Sequence, residues 1–247
     1  MKINCLAQLY DKFFGENLSD LEFFKYCIDK NDGVALEIGS GTGRLLLELA
    51  KAGLSVEGIE PNQDMINLCL EKAKLFNLSP VIYKQKLQNL NLQKKYKTIY
   101  LPLYVFQQII EPEEINLSLK NLYDHLDAGG QILISIFLPW NDPTGTWEQT
   151  WRVRQSIFED DSTFILSESV QYNKFTQIQS KILKYEFFKQ NCLKDTLLLN
   201  LNYKTYSIGE LTLMLKQNGF KNIQVFGDYT FQVADSNTEA FVFKAEK

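Results

Sequence analysis

Residues 34–46 read VALEIGSGTGRLL, and no other stretch limits the fold of this chain so tightly. Val34, Ala35, Leu36 and Ile38 suit a parallel strand buried on both faces, which favours unbroken apolar runs. Glu37 interrupts that run with an acid. Gly39, Gly41 and Gly43 let the backbone turn sharply and admit a ligand where a Cβ would block it. Leu45, Leu46, Leu49 and Ala50 then fall at helical spacing, so a helix is predicted to begin near Gly41–Thr42 with its free N–H groups facing the turn. A strand, a glycine turn and a helix N-terminus together suit a nucleotide-like ligand with an anionic group.

The following residues strengthen that reading. A second apolar strand is predicted over 54–59, and Glu60 closes it. In an α/β nucleotide-binding unit, an acid there holds ribose hydroxyls. The dinucleotide fingerprint G-x-G-x-x-G needs its third glycine at position 44, which is Arg44. The spacing present is E-x-G-x-G-x-G. Glu37–Gly43 followed by Glu60 resembles motif I and the acidic loop of the class I S-adenosylmethionine-dependent methyltransferases. The resemblance covers most of 1–138 and 200–247, and is closest to the small-molecule subgroup that includes amine N-methylating enzymes. It implies an α/β fold: a Rossmann-like, doubly wound, seven-stranded sheet of the class I methyltransferase type. It also implies S-adenosylmethionine as cofactor, with Glu37, Gly39, Ser40 and Gly41 in the loop beside its methionine part and Glu60 and Pro61 at its ribose.

Further site residues follow from the same resemblance. Met65 would cover the adenine, although core packing explains it equally. The family often places an adenine-binding acid after strand three, but this chain reads Gln85-Lys86-Leu87-Gln88. A backbone contact near Leu87, or the side chain of Gln88, is left to hold the adenine instead. Leu101 and Pro102 occupy the position whose backbone meets the methionine end. Tyr10, before an aromatic cluster, sits in a segment similar to one folded over the cofactor, or simply packs on the core. Tyr104, Phe106 and Gln107 follow the fourth strand, at the ligand-binding edge of an open α/β sheet. They are candidates for the acceptor side or for a wall of the fold.

Between 140 and 206 the pattern changes. Runs 163–172 and 178–189 flank a short polar turn and read as a hairpin, and alternating leucines at 197–201 add another strand. This predicts an antiparallel β lid inserted into one domain spanning 1–247. Trp140 there is a candidate aromatic wall, and Arg152 and Arg154 share a strand face able to hold a carboxylate or phosphate. A solvated face is the plainer account of that pair. The lid is also a candidate homodimer contact. Beyond it, Ser207 and Glu210 predict a capping box.

Methyl transfer is an in-line displacement that depends on alignment and exclusion of water, so a fixed base is optional. Tyr10, Tyr104 and Gln107 are the catalytic candidates. His125, the one histidine, falls at a predicted helix end and suits its terminal carbonyls. Four scattered cysteines lack metal spacing, so no metal is expected and a reducing, cytoplasmic setting is. A net charge of −4 offers no general attraction to nucleic acid or acidic membranes. The expected partner is a small-molecule methyl acceptor. Two other readings stay open: an NAD-dependent oxidoreductase, which Arg44 opposes, and a nucleotide-binding module without catalysis.

Overall fold

Seven strands of mixed direction carry the framework, in a computed structural model that describes residues 6–138 and 150–247. Five are parallel: β1 (Ala35–Ile38), β2 (Val56–Ile59), β3 (Val81–Tyr83), β4 (Tyr96–Leu101) and β5 (Leu126–Phe137). Two more, β10 (Lys221–Gly227) and β11 (Ala240–Glu246), extend the sheet antiparallel beyond β5. The order β3-β2-β1-β4-β5-β11-β10 is that of the class I methyltransferase type expected from the sequence. The direction in which the chain adds strands reverses between β1 and β4. Open α/β sheets bind ligands at such a switch point, outside the carboxyl ends of the strands.

Each face of the sheet has its own core. On one, Leu36, Ile38, Ile99 and Ile134 meet α5 (Pro112–His125) and α6 (Ile208–Gln217) through Leu119, Leu122, Leu211 and Leu215. On the other, Ala35, Tyr100 and Leu133 meet α2 (Leu21–Lys30), α3 (Leu46–Lys51) and α4 (Gln63–Leu75). Alternation along β1 therefore turns Glu37 towards the α2/α3 side, where it is buried. Ser207 caps α6 with Glu210 completing the box, and the Asn62 side chain caps α4.

The lid region forms a separate antiparallel sheet in the order β6-β7-β8-β9: β6 (Arg152–Glu159), β7 (Ser162–Asn173), β8 (Ile178–Lys189) and β9 (Cys192–Lys204). Gln190 and Asn191 both take positive φ between β8 and β9, which matches the twist of a tight hairpin. Phe164, Leu166, Leu183, Tyr185 and Phe187 line its inner face and cover Leu9 and Phe13 of α1 (Leu6–Phe14). This sheet and α1 make a roof over the carboxyl edge of the main sheet. No helix among the described residues is long and apolar enough to cross a membrane.

Two expected boundaries move. Regular helix starts at Leu46 instead of Gly41–Thr42, because Gly41 (φ +53°) and Gly43 (φ +80°) hold the loop in left-handed turns. The helix end expected around His125 is abrupt: α5 stops at His125 and β5 begins at Leu126, so Gly129 and Gly130 belong to the strand and do not stop the helix. The His125 ring explains part of that ending. Its Nε2 accepts from the Leu92 N–H, which leaves Nδ1–H for the Asn121 carbonyl.

Candidate active site

The amides of Gly39 and Ser40 both donate to the Ile59 carbonyl, at 2.9 and 3.0 Å, and so tie the end of β1 to the end of β2. Within this loop the glycines answer different needs. A Cβ on Gly43 would lie 2.4 Å from Cys69 Sγ, so that position is set by packing. A Cβ on Gly41 would meet nothing nearer than the Gly39 carbonyl at 3.9 Å. The space over Gly41 is open.

Polar groups of the same loop and of the end of β2 suit a polar ligand. The Ser40 hydroxyl is buried with no hydrogen-bond partner. Buried polar atoms are seldom left unpaired, so this one is a candidate ligand contact. Glu60 accepts from the Gly41 N–H at 3.0 Å and from the Asn62 N–H at 2.8 Å. Burial pushes its carboxyl up, and those two N–H groups oppose the shift. A carboxylate has about four acceptor sites, so two bonds leave capacity for hydroxyls. Open cradle, unpaired hydroxyl and carboxylate fit the loop, methionine and ribose contacts of S-adenosylmethionine.

Beneath the loop lies a buried charge network. Glu37 accepts from the Tyr100 hydroxyl at 2.9 Å, and burial pushes its carboxyl up to about 8. Arg44 makes a two-pronged pair with Asp20, at 2.6 and 2.7 Å, and also reaches the Asn17 carbonyl. It thereby pins the segment between α1 and α2 to the loop. Asp11 of α1 completes the attachment: one carboxylate oxygen receives both the Thr42 hydroxyl and Lys72 of α4 at 2.6 Å. Tyr10, its neighbour, lies among the fields of Arg44, Glu37, Asp20 and Glu60, and burial raises its hydroxyl pKa.

Past β4 the backbone is strained. Leu103 and Tyr104, consecutive non-glycine residues, take φ of +45° and +65°. Such conformations cluster at functional sites. Here the strain aims the Tyr104 ring at the edge of Phe137, 4.9 Å away, and Phe137 meets Tyr203 of β9 at 5.5 Å. Tyr229, in the loop between β10 and β11, bonds Ser135 of β5 at 2.7 Å and interacts with the Tyr104 hydroxyl. Burial raises the hydroxyl pKa of Tyr104, Tyr203 and Tyr229 alike, so all three stay protonated at neutral pH. They form an aromatic mouth beside the glycine loop, roofed by β9.

Several candidates from the sequence converge on this rim: Tyr10, Glu37, Gly39, Ser40, Gly41, Glu60 and Tyr104. Pro61 is exposed next to Glu60, and Met65 is half-buried in the first turn of α4. Leu87 is buried in the core, and its carbonyl and that of Gln88 accept from Asn121 Nδ2, so both backbone oxygens are already engaged. Leu101 is fully buried, and the Pro102 carbonyl accepts from the Val105 amide.

Two acceptor-side candidates are corrected. Phe106 turns into the core against Tyr206, with ring centres 5.5 Å apart. Gln107 is fully buried and committed: its amide donates to the Phe137 and Lys204 carbonyls and accepts from the Phe137 N–H. It clamps β5 to β9 and has no group left for chemistry. Trp140 lies outside the described residues. Arg152 stands opposite Glu168, and Arg154, at a break in register, brings Nε to 3.4 Å from the same carboxylate.

Asp20, Ser135, Glu168, Lys181, Tyr203 and Tyr229 did not emerge from the sequence. Tyr203 lies in an alternating strand, which marks its face without saying what that face covers. Tyr229 sits in the loop between β10 and β11 with Phe231 two residues on, and that aromatic pair was the one available signal.

Residues 35–130 match a family described as a methyltransferase domain. A protein of Geobacillus sp. (strain WCH70), named as a methyltransferase, is 21% identical over 225 residues, 86% of this chain and 83% of that one. The crystal structure of an S-adenosylmethionine-dependent methyltransferase from Clostridium acetobutylicum superposes with a TM-score of 0.79 at 18% identity, over 97% of this chain and 96% of that one. CalS10, described as an amino pentose methyltransferase from Micromonospora echinaspora with the cofactor bound, gives 0.73 at 14% identity, over 98% of both chains. Residues 35–130 thus match a methyltransferase domain, and the chain shares its fold with solved methyltransferases.

Proposed function

We propose that this protein is an S-adenosylmethionine-dependent methyltransferase acting on nitrogen or oxygen of a small-molecule acceptor, an amine being the acceptor that best suits its mouth. The observation that carries the reading is the open space over Gly41, whose N–H is held by the Glu60 carboxylate, in a loop that also carries the buried, unpaired Ser40 hydroxyl. Bound there, the cofactor supplies an electrophilic methyl group on a sulfonium. Glu60 holds sugar hydroxyls, the glycine loop lies against the amino-acid end with the Ser40 hydroxyl as its polar contact, and Tyr10 closes over them. On this reading the roof is an insertion in a single domain.

The tyrosine mouth decides the acceptor. The phenol oxygens of Tyr104, Tyr203 and Tyr229 accept from an amine's N–H groups and so aim its lone pair, and their ring faces favour the amine as it gains positive charge. An amine that arrives as the free base needs no fixed base, whereas a hydroxyl does. The roof excludes water from the transfer. The amino pentose acceptor named for CalS10 agrees with this choice.

Calorimetric titration with S-adenosylmethionine, S-adenosylhomocysteine and NAD tests the cofactor, and labelled methyl transfer to amine, phenol and carboxylate panels tests the acceptor. Binding of the two sulfur nucleosides, with turnover on amines, is expected. Binding of NAD alone would replace the reading with an oxidoreductase. Nucleoside binding without turnover on any panel would leave a binding module.

A further inference from the structure

The inner face of the roof is apolar where it covers α1 and charged where it runs on towards the mouth. Phe164, Leu166 and Glu168 alternate along the inner face of β7, and on β8 Tyr185, Leu183 and Lys181 do the same. Glu168 is 5% exposed. Its carboxylate holds Lys181 Nζ at 3.1 Å and Arg154 Nε at 3.4 Å, and the Arg152 backbone stands opposite it in the ladder. Lys181 in turn lies over the Tyr203 ring, 6.0 Å from its centre. Contacts therefore run unbroken from Tyr104 through Phe137 and Tyr203 to Lys181.

Glu168 is the buried member of these pairs, and a buried carboxylate costs desolvation that the apolar pairs elsewhere on this face avoid. Among the described residues two cations, Lys181 and Arg154, meet this one carboxylate, on a chain whose net charge is −4. Lys181 retains about a quarter of its side-chain exposure, so its ammonium can take a further acceptor.

We propose that the methyl acceptor carries an anionic group, a phosphate or a carboxylate, at the end away from its reacting atom, and that Lys181 receives it. Glu168 is the positioning residue. It holds the lysine above the Tyr203 ring and keeps Arg154 on the same wall. Arg154, more than half exposed, is the second cation an anion meets on entry. The proposal rests on the methyltransferase reading of the same mouth, and it makes the acceptor a molecule with a nucleophile at one end and a charge at the other.

The test uses the whole protein and two simple anions, inorganic pyrophosphate and succinate, titrated by calorimetry with and without saturating S-adenosylhomocysteine. At least one anion is expected to bind at one site per chain, and the pair distinguishes phosphate from carboxylate chemistry. Lys181→Met should weaken that binding at least ten-fold, and Lys181→Arg should restore most of it. Lys184→Met, on the outer face beside Trp151, should leave it unchanged and serves as the folding control. Absence of binding by either anion in both states overturns the proposal, as does equal binding by Lys181→Met. Failure of S-adenosylhomocysteine to bind would instead strike the cofactor reading, since the anions are also titrated without it.

Discussion

The rim of the main sheet and the roof above it are built on opposite principles. At the rim almost every residue has a single role. Gly41 leaves space, Glu60 braces the loop, Glu37 meets Tyr100, and Arg44 meets Asp20. The roof is a meander whose residues alternate, with an apolar face against α1 and a tolerant outer face where Leu198 and Val153 lie exposed. Chemistry fixes the rim position by position. Pattern alone suffices for most of the roof, so the roof is where acceptor specificity can change without loss of the fold.

Breaking the rim should have the largest effect. Gly41→Val puts a branched side chain into the open cradle and forces it to adopt φ near +53°. Cofactor binding by calorimetry should disappear while circular dichroism still reports a folded chain. Retained affinity would mean that the ligand does not lie over Gly41. Breaking the seam between rim and roof should come next. Phe13 is buried against Tyr185, with ring centres 5.6 Å apart, and Phe13→Ala should cost about 3–5 kcal/mol of roof attachment. Hydrogen exchange would then accelerate in β7 and β8 but not in β1 or β4. Uniform acceleration would show that roof and main sheet unfold as one unit.

That contrast explains what could be read from the sequence. The strand–glycine–helix stretch and Glu60 were legible because φ, space and charge each demand a particular residue type at a particular spacing. The capping box at Ser207 was legible for the same reason. The mouth was not, because Tyr203, Tyr229 and Ser135 come from three distant segments that only the sheet order brings together. Gln107 misled for a related reason: a polar residue after β4 suits an acceptor contact, and only the neighbouring carbonyls of Phe137 and Lys204 show that it is spent on structure.

The buried acid of the rim gives a smaller effect that depends on pH. The Glu37 carboxyl titrates near 4.5 in an unfolded chain and at about 8 when folded, chiefly through burial, with Tyr100, Arg44, Asp20 and Glu60 around it. Between those values the native state keeps a proton that the unfolded state has lost. Its contribution is therefore fully present below about pH 4.5 and declines as pH rises to 8, by at most about 1.4 kcal/mol per pH unit. Urea midpoints of Glu37→Gln should be flatter across pH 5–8 than those of the parent protein. Parallel profiles would show that another group carries the slope.

Glu60 gives the smallest and most informative change. Glu60→Ala should weaken S-adenosylhomocysteine about ten-fold, equivalent to about 1.4 kcal/mol. The loss has two sources, since the carboxylate both braces the Gly41 and Asn62 amides and faces the space where a sugar would lie. A 2′-deoxy analogue of S-adenosylhomocysteine separates them in a double-substitution cycle. If Glu60 holds the hydroxyl, the parent protein prefers the natural nucleoside and Glu60→Ala no longer does. If it only braces the loop, both ligands weaken equally and the preference survives. The second outcome would make Glu60 a scaffold residue and leave the rim, like the roof, with fewer positions fixed by the ligand than its geometry suggests.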